Sequence, residues 1–209
     1  MSPTGTPFQP TTGEQYEAGV KYQPVGTNLM FTAALFDITQ QNVLTPALSA
    51  IPGQQVQTGE ARSHGGELEA TASLTSGFKL VASYTYTDTD VTKTNTPSQL
   101  GKHLITVPLN QATLWGDYTF QNGRLTGFGF GAGVHYIGDS YGDPANTILI
   151  PDYTLFDMAV HYDLANLDPK LRGAKIALNV NNLFNKAYVS TCAGLSQCYY
   201  GPGSLRYSW

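Results

Sequence analysis

Few side chains in this 209-residue sequence have reactive chemistry to offer. Cys192 and Cys198 flank five residues. At an oxidising surface that spacing closes a small disulfide loop, which in the chain-entropy model contributes about 2 kcal/mol. The rival chemistry, a metal-binding thiol pair, lacks the nearby histidine or further cysteine it would need. The four histidines are His64, His103, His135 and His161. By parity His135 and His161 face the polar side of neighbouring segments, toward opposite ends, while His64 and His103 sit at segment margins. They read as solvated or interior side chains and not as a ligand set. Asp37, Glu67, Glu69, Asp117 and Asp157 are assigned to the same polar side. A carboxylate pair could hydrolyse a glycosidic bond, but no nucleophile or base stands at a fixed spacing from any of them. No catalytic and no metal-binding residue is assigned. Gly127, Gly129, Gly131 and Gly133 superficially suggest a phosphate loop. Their strict alternation marks them instead as small side chains along one face of a strand. Tyr141, Tyr199 and Tyr200 remain as loop aromatics able to stack on a ligand.

The elements that must position these residues are strands. Helical periodicity is absent, and period-2 alternation recurs along the chain. About nine strands are expected, over residues 14–22, 28–41, 65–74, 78–88, 110–120, 128–136, 153–162, 174–182 and 204–209. In the fourth, Phe78, Leu80, Ala82, Tyr84 and Tyr86 share one side, opposite Lys79, Ser83, Thr85 and Thr87. The sixth sets Phe128, Phe130, Ala132, Val134 and Tyr136 against Gly129, Gly131, Gly133 and His135. Short connections at 24–27, 75–77 and 121–127 alternate with long ones at 45–64, 89–109, 137–152 and 185–203. The Asn122-Gly123 pair favours a tight turn.

Charged residues make up 12% of the chain, about half the usual share for a soluble domain. Mean hydropathy is mildly negative, as expected where apolar and polar positions alternate. No run of apolar residues is long enough for a transmembrane helix. A net charge of −4 without a basic cluster argues against a nucleic-acid partner. Short turns at one end and long loops at the other are the asymmetry of an outer-membrane barrel. That asymmetry runs the odd strands toward the periplasm. It places Tyr22, Phe78, Tyr118, Phe120, Phe128, Tyr162 and Trp209 near the periplasmic ends, and Tyr16, Tyr84, Tyr86, Tyr136 and Tyr153 near the outer ends. Two aromatic belts at the lipid–water interfaces result. The fold class is therefore all-β, an antiparallel up-and-down transmembrane barrel segment.

Several stretches, in order, resemble the TonB-dependent siderophore receptors. They include Glu14-Gln15-Tyr16-Glu17-Ala18-Gly19-Val20-Lys21-Tyr22, Ala34-Leu35-Phe36-Asp37-Ile38-Thr39 and Pro151-Asp152-Tyr153-Thr154-Leu155-Phe156-Asp157. The segment Asn181-Asn182-Leu183-Phe184-Asn185 is the most specific of them, and the terminal aromatic Trp209 fits as a membrane-assembly residue. Within the family the chain is most similar to ferrichrome- and ferrioxamine-type receptors. The resemblance implies a 22-strand barrel holding an N-terminal plug, of which residues 1–209 supply the C-terminal barrel portion. It implies a ferric siderophore as transported ligand, no resident cofactor and no catalysis. Its partners would be outer-membrane lipid and, through a plug this chain lacks, the TonB complex. Tyr141, Tyr199 and Tyr200 would then be candidate siderophore contacts.

The stretch 1–10 lacks the charged and apolar regions of a signal peptide, so the chain reads as a fragment, an engineered piece or a truncated reading frame. Gly201-Pro202-Gly203 interrupts any strand. Only 204–209 is left for the last crossing, fewer than the roughly 9–11 residues that spanning takes. Two other functions compete with the receptor reading: a standalone outer-membrane pore or structural barrel, and a soluble β-rich binding module.

Overall fold

The computed structural model describes residues 2, 5–47, 53–192, 198–201 and 206–208. Its strands in chain order are β1 (Thr12–Tyr22), β2 (Leu29–Pro46), β3 (Gln55–Thr75), β4 (Phe78–Lys93), β5 (Asn110–Thr119), β6 (Phe128–Ile137), β7 (Ser140–Tyr141), β8 (Leu149–Ile150), β9 (Tyr153–Asp163), β10 (Lys175–Asn181), β11 (Val189–Cys192), β12 (Cys198–Tyr200) and β13 (Arg206–Ser208). Nine of them form one sheet in the order β1-β2-β3-β4-β5-β6-β9-β10-β13. Each strand in it is antiparallel to its neighbours. The pairs β7–β8 and β11–β12 are separate small ribbons. No described helix is long and apolar enough to cross a membrane, which says nothing of crossing by strands.

The register turns the sequence alternation into continuous rows. Tyr22, Phe31, Ala70, Ala82, Leu114, Val134 and Phe156 stand opposite one another from β1 to β9. One residue away, Lys21, Thr32, Glu69, Ser83, Thr113 and His135 make the matching row on the other face. The connection between β3 and β4 is tight: Gly77 has φ +94, and a Cβ there would stand 2.1 Å from the Thr119 carbonyl oxygen. Only glycine fits such a turn.

The sheet is a single layer. Among the described residues the buried apolar side chains are Ala61, Ile150, Ala159 and Cys192, and no large side chain is fully buried. The apolar face stands uncovered, with Leu68 56%, Leu114 45%, Phe130 48% and Phe156 43% exposed. A soluble sandwich would bury these rows against a second sheet, and the described residues provide none.

Three expectations need correction or limits. The stretch 45–64 is mostly strand and not loop, because β2 and β3 continue to Pro46 and from Gln55. There polar residues fall on both faces among scattered apolar ones such as Val43, Leu44 and Val56, so alternation fades while the ladder goes on. Asp37 lies on the apolar face, since it pairs with Tyr16 and His64 in the same row as Asp88. It stands one row beyond Leu35, Gly66 and Tyr86, where the apolar residues of that face end. Finally, the last strand is described only as Arg206–Ser208, pairing with Asn181–Asn179. Ser204, Leu205 and Trp209 lie outside the described residues.

Candidate functional site

The polar face between β5 and β9 is built on a glycine track. Gly129, Gly131 and Gly133 of β6 face Thr119, Asp117 and Trp115 on one side, and His161, Ala159 and Asp157 on the other. With no Cβ on the middle strand, neighbours lie down across it. A Cβ at Gly131 would meet the Trp115 ring at 2.6 Å, and one at Gly129 would meet the His161 ring at 2.2 Å. His161 thereby reaches across β6 to Asp117, with Nε2 3.1 Å from Oδ2. Next along, His135 Nε2 stands 3.0 Å from Asp157 Oδ2, and His135 Nδ1 is 3.3 Å from the Thr113 hydroxyl. The expectation of solvated or interior histidines without a ligand set omits these partners, because parity gives the face and not the neighbour.

Asp157 links this wall to the outer loops. Its Oδ1 accepts a hydrogen bond from the Asn182 amide at 2.7 Å. Asn182 has φ +52, and its side chain receives the Lys186 amide at 2.8 Å and donates to the Lys186 carbonyl at 2.9 Å. The Asn181-Asn182-Leu183-Phe184 segment is thus a strand exit. Asparagine tolerates the left-handed backbone there and closes the turn with its own amide.

The loops above are fastened to one another. Cys192 and Cys198 are joined by a disulfide. Cys192 packs so closely on the 138–152 loop that a Cβ at Gly142 would lie 2.6 Å from its own Cβ. In that loop Asp143 receives the amides of Thr147 and Ile148 at 2.7 Å, the amide of Ala145 at 3.2 Å and the Thr147 hydroxyl at 3.1 Å. Burial pushes the Asp143 carboxyl up, and these four donors together hold it below the usual carboxylate range. Tyr141 is stacked on His103 with ring centroids 5.7 Å apart, while its carbonyl accepts the Thr106 amide at 2.9 Å. Tyr153 stacks on Tyr188 at 4.2 Å. Tyr199 and Tyr200 by contrast stand out, 57% and 74% exposed. The structure separates the three loop tyrosines into one packed ring and two free ones.

Parts of both expected belts can be located, but Tyr153 does not join the outer one: it lies on the polar face, opposite Ile137, and stacks on Tyr188. Tyr118, Phe120, Phe128 and Phe130 are in mutual ring contact at the short-turn end. At the other end Tyr84 and Tyr136 share a row through Ala112, and the Tyr84 hydroxyl donates to Asn110 Oδ1 at 2.6 Å. Chemically the arrangement offers a lipid-compatible outer face, a polar inner wall and a braced cap of loops.

Comparison with known proteins places this arrangement. The family model "TonB dependent receptor-like, beta-barrel" matches residues 1–183. The ferrichrome outer membrane transporter/phage receptor of Escherichia coli K12 is 42% identical over 204 residues, covering 94% of this chain and 26% of its own. The ferrioxamine B receptor of Salmonella typhimurium SL1344 is 42% identical, covering 94% of this chain and 27% of its own. The crystal structure of the siderophore receptor PiuA from Acinetobacter baumannii superposes with a TM-score of 0.73 at 27% identity, over 93% of this chain and 27% of that one. The chain spans about a quarter of the length of the curated relatives it matches. Single-layer sheet, two belts and family match agree, and the chain belongs to the TonB-dependent receptor-like β-barrel family.

Proposed function

We propose that this chain forms the C-terminal barrel portion of an outer-membrane receptor that takes up a ferric siderophore of the hydroxamate class, energised by TonB in the complete protein. The observation that carries this reading is the 42% identity to a ferrichrome and a ferrioxamine B receptor, sustained over 94% of the chain. The physical division of labour supports it. Lipid takes the uncovered rows of Leu68, Leu114 and Phe156, and the glycine track leaves room on the inner wall beside His161 and Asp117. Transport, not bond chemistry, is what such a wall serves. Tyr199 and Tyr200, exposed on the disulfide-closed ribbon, are the loop aromatics best placed to stack on an arriving ligand, and Tyr141, its ring packed on His103, is the third candidate contact.

The test is uptake of radiolabelled iron presented as ferrichrome or ferrioxamine B. It uses cells whose only receptor for either is the complete protein containing this chain. Uptake should vanish when the gene is deleted or when TonB is removed. Unchanged uptake after deletion would refute the assignment. Tyr199→Ala and Tyr200→Ala should weaken ligand binding without changing the amount of receptor in the membrane.

A further inference from the structure

A second group of ligating side chains stands at the outer end of β3 and β4, away from the inner wall and beyond the uptake function. Asp88 and Asp90 lie on the same face of β4, and β3 sets His64 opposite Asp88 and Arg62 opposite Asp90. The loop before β5 returns alongside β4 and delivers His103, whose Nδ1 lies 3.3 Å from Asp88 Oδ1. One ligating atom each from Asp88, Asp90 and His103 falls within 4.8 Å of the others. We propose that Asp88, Asp90 and His103 bind a divalent transition-metal ion such as Zn²⁺ at the outer rim of the barrel.

Charge balance is the first argument. The neighbouring cations are already committed: Arg62 Nε sits 3.0 Å from Asp37 Oδ1, and Lys93 Nζ sits 2.6 Å from Glu60 Oε2. Arg62 stands opposite Asp90, but its guanidinium is bonded to Asp37, so among the described residues neither Asp88 nor Asp90 is salt-bridged to a lysine or arginine. Unpaired polar atoms are the second argument. Asp88 Oδ1 and His64 Nδ1 are shut off from solvent and have no hydrogen-bond partner, and His103 Nδ1 approaches that oxygen to 3.3 Å without the alignment of a hydrogen bond. A shielded carboxylate oxygen without a donor is costly, and a cation beside it removes that cost.

Preorganisation is the third. The His103 ring is held flat on Tyr141, with 4° between the planes. Its amide donates to Asn146 Oδ1 at 2.7 Å, and its carbonyl accepts from Asn146 Nδ2 at 3.0 Å. Stacking and backbone bonds together fix where the imidazole stands. His64 Nε2, 3.9 Å from Asp88 Oδ2, flanks the carboxylate on the other side. One imidazole nitrogen and two carboxylates suit Zn²⁺ with water in the fourth place, whereas Ca²⁺ and Mg²⁺ prefer oxygen throughout. Bonds of about 2.1 Å require the carboxylates to swing inward from their present separation of up to 4.8 Å.

The test uses the protein extracted in detergent from its own membrane and stripped with EDTA. Zn²⁺ is titrated calorimetrically, with Ca²⁺ as the comparison ion. A single equivalent of Zn²⁺ should bind, about tenfold or more weakly in Asp90→Asn and in His103→Gln, and unchanged in His135→Gln. The near-isosteric Asp90→Asn keeps the test decisive if His103→Gln disturbs the loop, and strand content by circular dichroism verifies each fold. The proposal is overturned if Zn²⁺ does not saturate a site, if correctly folded Asp90→Asn binds it as well as the unaltered protein, or if Ca²⁺ competes with it on equal terms.

Discussion

Gly133 offers the sharpest test of how the inner wall is built. A methyl group placed there would stand 2.3 Å from Cε3 of Trp115 and 3.1 Å from the Leu114 carbonyl oxygen. Carbon atoms rest at about 3.5–4.0 Å, so the indole would have to retreat by more than about 1 Å. The same ring also covers Gly131, where an added Cβ would stand 2.6 Å from Cζ2. Overpacking of this kind costs about 1–3 kcal/mol. Against that, alanine is preferred to glycine inside a strand by about 0.5–1 kcal/mol. The net expectation for Gly133→Ala is a loss of about 0–2.5 kcal/mol, centred a little above 1. Gly116→Ala is the matched control, because it lies on the opposite face of β5 with Phe78 Cζ 3.7 Å from the added Cβ. That is ordinary contact, and only the gain of about 0.5–1 kcal/mol remains. The assay is the urea midpoint of strand circular dichroism for the complete protein in detergent. Repeating Gly133→Ala in a Trp115→Leu background should recover most of the loss, since those two side chains are in contact. If Gly133→Ala proved as stable as Gly116→Ala, the close approach of Trp115 would not be what shapes this wall.

Arginine at Leu114, midway along the apolar row, should cost about 2–4 kcal/mol in a lipid bilayer; Thr113→Arg, one residue away on the polar face, should be nearly neutral in the same unfolding assay. Replacing Cys192 and Cys198 together by serine removes a constraint of about 2 kcal/mol, and it should appear as faster proteolysis of the outer loops while the urea midpoint of the sheet stays put. Asp143→Ala should speed hydrogen exchange at the Thr147 and Ile148 amides at neutral pH. Because the Asp143 carboxyl is held low in the folded protein, its contribution is present above the ordinary value of about 3.9 and fades as pH falls through the lowered one, so the variants should converge only in acid. Residues 1–209 expressed alone should show neither heat-modifiable migration nor stable ion conductance, and either result would refute the need for further strands at the open edge of β1.

What the sequence made legible was whatever depends on parity. The faces of β4 and β6 follow from alternation alone, and the register confirms them residue by residue. The glycine track was legible as small side chains, but not as a floor for Trp115 and His161, because that needs the partners across two ladders. Asp37 was misplaced for a related reason. Leu29, Phe31 and Leu35 sit among Met30, Ala34 and Phe36, so both faces of β2 read as apolar and parity had no anchor. The outer halves of β2 and β3 were lost because water lies on both sides there, and nothing forces alternation. Convergence of His64 and His103 on Asp88 is tertiary information: the two are 39 positions apart in number, and only the returning loop brings them together.

The heights of these rows also say what the sheet requires of its surroundings. On β4 the apolar face runs from Phe78 to Tyr86, and the next residue on that face is Asp88. Those nine positions match the roughly 9–11 residues of a tilted crossing, so in the proposed barrel hydrocarbon would end near Tyr84 and Tyr86 and the charged row would lie in water. Within the band every backbone donor and acceptor needs a partner. Among the described residues the outer edge of β1 has none, and β13 contributes three pairs to β10. In a nine-strand antiparallel sheet β1 and β13 run the same way, so joining them directly would demand a parallel pair. An all-antiparallel closure therefore takes an odd number of further strands. A 22-strand barrel less these nine leaves an odd remainder, which is the closure the proposed receptor would have.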